Sequence, residues 1–505
     1  MIDTIVKVFQ NFRNRLFSLF PYRADATMDF IDALAGEPNF KSTVKLSLSD
    51  LFRRQYSSLT DVLDSLFRSN LKDPPSEEDT QKHTSKIMEL LAEACPPSQK
   101  KFSLFAVDCT ANPRIFADKL SDRTMVHAPN HVPGQKPITV GHEYSTLVHL
   151  PDNPLDRRQH WVIPLSVQRV ASHETGAQTG FAQFKKVVSE TAFKGKLCVM
   201  VADAAYSTKE SLEALSQCPD AVLGARMRGN RKVFKMPLSQ VRRGRPLVYG
   251  DEILLKDPTQ PDLQEFTTTI TRSGQQHQVF LDRWNDVMMQ GSPKRPFDML
   301  RVILKDKNGK PVYRRPLWIA IIGERRRELS SLEMFESYCQ RYDIEHYFRF
   351  GKQKLGFASL QTCETRHEEM AHWVGLLAYN MLYHSRQFAQ VVAYPWEKKK
   401  VKVLTEQQGP TRVQRDYKRI IRGFGTPAKI PKPRGKSSGR KTGTKGKQRP
   451  TCSLIRKSKI KNDETSEVPL RKSKKIDRNS HRENKNQLQR LKRVWPKKRP
   501  PPARC

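Results

Sequence analysis

Tyr338, Arg341, Glu345 and Lys352, in the stretch YCQRYDIEHYFRFGK, are spaced i, i+3, i+7 and i+14. On a helix all four fall on one face. That face carries a phenol, a guanidinium, a carboxylate and an ammonium. A solvated helix alternates signs more loosely, and a core face is apolar. The pattern points to a face that holds a metal ion against a phosphate. Two further carboxylates fit it: Asp108 ends the apolar run KFSLFAVDCT, and Asp203 ends KLCVMVADAAYS. Both are expected at the carboxyl ends of strands, the edge where open α/β sheets place their chemistry. Three carboxylates meeting there repel one another unless a hard cation neutralises them, and Mg²⁺ suits such oxygen ligands, with Mn²⁺ as a substitute. Two such ions about 3.5–4 Å apart can activate a nucleophile and stabilise the leaving oxygen of a phosphodiester. Singly, each residue has a blander reading. An Asp closing a strand is usually a turn former or helix cap, and Glu345 could be a solvated carboxylate paired with Arg341 or Arg349 at i±4.

The charge supports a polyphosphate partner. The 505 residues carry a formal +38. Residues 411–505 hold 32 Lys/Arg against 6 Asp/Glu, a net +26, and the preceding residues are still at +12. A field of that sign favours DNA, because each neutralised phosphate releases a counterion. At 37% hydrophobic residues the composition suits a soluble protein, and no apolar run approaches the ~18 residues of a membrane helix. The N-terminus mixes charges into its apolar pattern and has no small-residue cleavage site, so no signal peptide is expected. The expected setting is the cytoplasm, on the nucleoid, without membrane association. Eight scattered cysteines without a C-x-x-C pair suggest buried free thiols in a reducing compartment.

Elements follow from periodicity. Residues 1–98 read as helical, with FIDALAGEP and SLTDVLDSLF showing apolar spacings of three and four; they are either a DNA-binding bundle or a scaffold. Strands are expected at KFSLFAVDCT, GHEYSTLVHL and HWVIPLSVQRV, a helix at GFAQFKKVVSETAF, a strand at KLCVMVADAAYS, a helix at STKESLEALSQC and a strand at AVLGARMR. That order is an RNase H-like mixed sheet flanked by helices, an α/β fold whose first part spans 99–229. Residues 230–316, rich in Thr, Val and basic residues, form a β-rich insertion. The core resumes over 317–404 with the strand PLWIAIIG, the helix SSLEMFESYCQRYDIEHYFRF and a second long helix TRHEEMAHWVGLLAYNMLYHS. Residues 405–505 are expected to be a disordered basic tail.

The order Asp, Asp, Glu with a Y-x2-R-x3-E-x6-K helix resembles the DDE transposases of bacterial insertion sequences, in the branch carrying that four-residue signature. Tyr338, Arg341, Glu345 and Lys352 match every signature position, and VDCT at 107–110 and VADAAYS at 201–207 resemble the family's first two catalytic segments. The resemblance covers roughly residues 100–390. It implies that Asp108, Asp203 and Glu345 bind the catalytic metal. It also implies that Arg341 and Lys352 contact DNA phosphates near the cut and that Tyr338 packs beside the transposon end. The implied substrates are double-stranded DNA, both transposon ends and target, with a homodimer in the end-bound complex. In some relatives a Trp in the insertion stacks a flipped base. Trp284 is the only Trp between 230 and 316, and a packed aromatic is its alternative reading. Gly351, directly before Lys352, is a helix-ending signal, which would bring Lys352 to the site from a loop.

Other motifs carry less. His367 and His372 resemble H-E-x-x-H but are five apart, which separates them by about 140° on a helix, so no zinc site is expected. GARMRGNRKVFK is equally a DNA contact or a solvated strand end. His142 and His346 are expected to satisfy local hydrogen bonds. Two other functions remain open: a nuclease of the same fold that cuts without joining, and a DNA-binding relative without catalysis.

Overall fold

A computed structural model of the protein describes residues 2–128, 131–152, 160–237, 247–272, 275–391, 408–433, 443–444 and 448–456. Five helices come first: α1 (Ile2–Ser18), α2 (Ala24–Gly36), α3 (Thr43–Ser47), α4 (Ser57–Ser65) and α5 (Glu77–Glu93). Strands β1 (Ser103–Pro113), β2 (Thr124–His127), β3 (Ile138–His149) and β4 (Ile163–Arg169) follow. Then come α6 (Gly176–Glu190), β5 (Cys198–Ala202), α7 (Lys209–Leu215) and β6 (Ala221–Met227). The insertion supplies β7 (Lys232–Phe234), β8 (Glu252–Leu254), β9 (Leu263–Arg272), β10 (Gln275–Met289) and β11 (Ser292–Lys305). The chain returns through β12 (Leu317–Ile322), α8 (Ser331–Gln340), α9 (Asp343–Lys354), α10 (Thr365–Val391) and α11 (Pro410–Phe424).

The strand order follows from burial. CVMVA of β5 is buried at every position, which only a central strand satisfies. It pairs in parallel with β1 on one side and β6 on the other. β1 runs antiparallel to β3, and β3 antiparallel to β4. The order β4-β3-β1-β5-β6 is that of an RNase H-like core. Beyond β6 the sheet continues antiparallel through β12, β11, β10 and β9. The insertion therefore extends the central sheet directly.

Helix α6 reaches β1 very closely. A Cβ on Gly180 would lie 2.7 Å from the Tyr206 hydroxyl and 2.8 Å from Val107 Cγ2. Tyr206 and Val107 are both buried, so neither has room to give. Gly180→Ala is expected to cost about 1–3 kcal/mol, the usual penalty of overpacking. Chemical denaturation read by tryptophan fluorescence checks this; an unchanged midpoint would mean that α6 can shift freely.

The N-terminal helices do not stand apart. Almost every residue of α2 is buried, and α10 packs on α2, α4, α11 and β4. Arg13 of α1 reaches Asp32 of α2 (2.7 and 2.8 Å) and the Tyr417 hydroxyl of α11 (3.2 Å). Tyr417 donates to the same Asp32 at 2.8 Å.

That contact corrects the expected start of the tail at 405. Val413, Tyr417, Ile420 and Ile421 make one buried stripe of α11 at i, i+4, i+7 and i+8. Each such side chain contributes about 1.5–3 kcal/mol on burial, which outweighs a basic composition carried on the exposed face. Further on, the Cys452 N–H donates to Asp118 O (2.8 Å) and the Ile455 N–H to Arg123 O (2.9 Å), so residues 448–456 also pack on the body. Met1–Lys457 form one compact unit; the tail beyond, Ser458–Cys505, lies outside the described residues. No helix among the described residues is long and apolar enough to cross a membrane. The seven described cysteines are free thiols.

Candidate active site

β1 continues to Pro113, so Asp108 is not its last residue. The parallel ladder with β5 nevertheless ends at Ala106↔Val201, and Asp108 lies two residues beyond. Asp203 follows the last residue of β5 and caps the turn after it, its Oδ1 accepting the Ala205 N–H at 2.8 Å. Both carboxylates thus occupy the same edge, one held by β1 and one by β5. Asp108 Oδ1 accepts the Cys109 N–H at 2.8 Å.

The helix expected over 330–350 is two helices. α8 ends at Gln340 and α9 begins at Asp343, with Arg341 and Tyr342 between them. Both junction residues keep right-handed helical angles (Arg341 φ −48°, ψ −34°; Tyr342 φ −60°, ψ −17°), so the shared face survives the break. Glu345 lies in the first turn of α9. Arg341 Nη2 donates to Glu345 Oε1 at 3.0 Å and Nη1 to Asp108 Oδ2 at 3.3 Å. Its guanidinium lies 5.8 Å from the Tyr338 ring centroid. Glu345 therefore takes Arg341, of the two arginines at i±4, as its partner.

α9 does not stop at Gly351 but runs to Lys354, which corrects the loop placement of Lys352. Gly351 is required by packing: a Cβ there would meet the Phe357 ring at 2.4 Å, and one on Gly375 of α10 would meet the same ring at 2.5 Å. The ring is clamped between the two helices at points where only hydrogen fits. Lys352 lies half-buried in the last turn of α9, and burial draws its ammonium below the usual lysine range.

The carboxylates feel one another. Burial pushes the Asp108 carboxyl up to about 6, and the charges of Asp203 and Glu345 push the same way, while Arg341 and the Cys109 N–H oppose them. A carboxyl whose folded pKa is raised favours folding in its neutral form. That contribution is present at acidic pH and lost as the pH rises through about 6. Asp108→Asn is therefore expected to be more stable than the wild type near pH 7.5, by up to about 2–3 kcal/mol, with the gain vanishing toward pH 4. Thermal melts across that pH range check it; a less stable variant at every pH would mean that Arg341 outweighs the burial.

An open cleft of about 920 Å³ runs from Asp108 and Asp203 past Cys109, Glu143, Thr175 and Tyr206 between α6 and α7. Glu143 was missed from sequence, although it is the one acidic residue inside the apolar pattern GHEYSTLVHL. Arg226, from GARMRGNRKVFK, is exposed on β6, and its charge reaches Tyr338. Among the described residues no three His, Cys, Asp or Glu side chains stand close enough together to hold a metal ion as they lie. The donor chemistry still fits a hard cation: Asp108 and Asp203 lie at one sheet edge, Arg341 ties Asp108 to Glu345, and the charges of Asp203 and Glu345 add to the burial that raises Asp108. At present Arg341 supplies the positive charge between two of them.

Trp284 is placed elsewhere. Its side chain is 1% exposed, its indole N–H donates to Thr259 O at 3.2 Å, and its ring lies 5.3 Å from that of Trp318. With both faces covered it offers no platform to a base, which corrects that expectation for this structure. The histidines also find local partners. His142 contacts Glu368 (3.0 Å) and Ser121 O (2.9 Å). His346 stacks on His160 at 4.1 Å, and His160 in turn contacts Asp343 at 2.7 Å. His372 stacks on Tyr144 at 3.7 Å, while His367 lies 3.1 Å from Glu364.

A family model described as DDE superfamily endonuclease matches residues 15–279, more than half of the chain. The match includes Asp108 and Asp203 and stops before Glu345. No curated protein matches the chain.

Proposed function

We propose, from the premise that this chain belongs to the DDE superfamily endonuclease family, that it is a DNA transposase of the branch carrying the Tyr338, Arg341, Glu345 and Lys352 signature. It would bind terminal inverted repeats, cut them to leave 3′-hydroxyls, and join those hydroxyls to target DNA. The observation that supports this reading is that Asp108 and Asp203 lie just past the β1–β5 ladder at one sheet edge, while Arg341 ties Asp108 to Glu345 of α9. Asp108, Asp203 and Glu345 would hold Mg²⁺, or Mn²⁺ in its place. The chemistry such ions would supply there is activation of the attacking hydroxyl and an offset to charge on the leaving oxygen. Arg341 suits a phosphate because its fork can take two oxygens at once. Lys352, about two turns along α9 from Glu345, adds a point charge in a half-buried setting where it is less screened. Tyr338 packs against Arg341 and fixes its approach. The cleft beside Asp108 and Asp203 gives the cut strand a route into the site.

The test supplies duplexes already cut at the transposon end, with target DNA and Mg²⁺. Joined product is expected. Cleavage of uncut DNA without any joining would instead make the protein a nuclease of the same fold. A homodimer is proposed for the end-bound complex, each copy holding one end.

The tail is proposed to add sequence-independent affinity. Residues 458–505 carry 16 Lys/Arg against 5 Asp/Glu. Deleting them should flatten the dependence of log K on log salt by about 0.9 for each phosphate that the tail neutralises. An unaltered slope would show that the tail does not touch the DNA. The deletion must begin after Lys457, because removing α11 would take Tyr417 from the buried Arg13–Asp32 pair.

A further inference from the structure

The carboxylates read as metal ligands are already engaged. Asp108 Oδ1 is taken by the Cys109 N–H and Oδ2 by Arg341; Glu345 Oε1 is taken by Arg341; Asp203 Oδ1 is taken by the Ala205 N–H. The Arg341 side chain joining β1 to α9 is 15% exposed, and its guanidinium rests beside the Tyr338 ring. A hard divalent cation would draw on the same carboxylates, Asp108 above all, whose two oxygens are both engaged, and its charge would stand beside a guanidinium only a few ångströms away, in a site where water screens poorly. A cation bound through Asp108 therefore competes with Arg341 as the side chains stand.

We propose that Arg341 is a resident counter-cation that occupies the carboxylate site in the DNA-free protein and is drawn off by a DNA phosphate, so that metal loading and DNA binding are coupled. This rests on the reading of Asp108, Asp203 and Glu345 as the metal ligands. The exchange is chemically matched, since a phosphate offers Arg341 the same two-oxygen partner that the carboxylates provide now. Arg341 lies at the α8–α9 junction, outside either helix, where its side chain can turn without breaking a helical turn. Lys352 has no ion-pair partner among the described residues and would remain as a second contact for the same backbone. The arrangement keeps the site poorly loaded until DNA arrives, which limits stray hydrolysis. By thermodynamic reciprocity, whatever factor DNA adds to metal affinity the metal must add to DNA affinity.

The test measures Mn²⁺ binding to the full chain without DNA, from the electron paramagnetic resonance signal of free Mn²⁺. Arg341→Gln is expected to bind Mn²⁺ roughly tenfold more tightly than the wild type, within the usual range of coupling between sites. Arg341→Lys, which keeps the charge, should stay near the wild type. A short duplex bearing a terminal phosphate should tighten Mn²⁺ binding by the wild type and add little to Arg341→Gln. Unchanged or weaker Mn²⁺ binding by Arg341→Gln would overturn the proposal and make Arg341 a structural pin. Glu345→Gln separates the two layers. If it weakens Mn²⁺ binding while Arg341→Gln does not strengthen it, only the counter-cation role fails. If Glu345→Gln leaves Mn²⁺ binding untouched, the metal-ligand reading fails with it.

Discussion

Glu345→Gln is expected to lower DNA cleavage by about a thousandfold while leaving duplex binding intact in a gel shift run without divalent cations. The magnitude follows from the role proposed for the carboxylate: losing one preorganised electrostatic group typically costs 10²–10³-fold, and losing a metal ligand would weaken everything the cation stabilises. The sign on binding is opposite. Glutamine has nearly the same volume and removes a negative charge facing the phosphates, so DNA affinity should hold or rise. Arg341, released from Glu345 (3.0 Å), keeps Asp108 as its partner, and the α8–α9 junction stays in place. Unchanged cleavage by the variant would remove Glu345 from the site. Loss of binding together with cleavage would mean that the substitution had damaged the fold.

Glu368→Ala should be the most destabilising single change near the site. Glu368 is buried on α10 and receives Arg114 Nε at 2.6 Å, the Tyr144 hydroxyl at 3.0 Å and His142 Nδ1 at 3.0 Å. Burial by itself would push its carboxyl up, but the His142 hydrogen bond and the Arg114 charge overcome this and hold it down at about 2. Arg114 is buried as well, so truncating Glu368 strands a guanidinium in the interior. Breaking a buried pair in this way costs about 3–5 kcal/mol. The pH signature has a definite sign. A carboxyl with a lowered folded pKa contributes stability above its ordinary value near 4.5, and loses it as the pH falls toward 2. The wild type should lose stability in that window and the variant should not. Equilibrium unfolding at pH 7 and pH 3 checks both points; equal stability of the two proteins at pH 7 would show that the pair contributes nothing net.

Much of the site was readable in sequence because its signals are local. FAVD and VMVAD are apolar runs that end in a carboxylate, and a fully apolar five-residue run is compatible with little besides a central strand. The face of Tyr338 to Lys352 depended only on helical spacing, and it survived a break that no residue announced, because Arg341 and Tyr342 both stay in the right-handed region. The readings that failed depended on distant partners. Gly351 resembles a helix terminator until Phe357 is seen against it. Trp284 could serve as a platform until Trp318 and Arg301 cover its faces. α11 hid within a basic segment because its stripe of four apolar residues is diluted by five Lys/Arg, and only its packing on α2 and α10 makes it ordered. Glu143 joined the site through the pairing of β3 with β1, a register that alternation alone does not specify.

The central claim is that Asp108, Asp203 and Glu345 share a divalent cation. It is tested most directly by replacing Mg²⁺ with Fe²⁺ in the DNA-bound protein and generating hydroxyl radicals at the bound ion. Polypeptide cleavage should concentrate at three places far apart in sequence, around residues 108, 203 and 345, and should disappear with excess Mg²⁺ or in Glu345→Gln. Cleavage confined elsewhere, or scattered along the chain with no protection by Mg²⁺, would contradict the site.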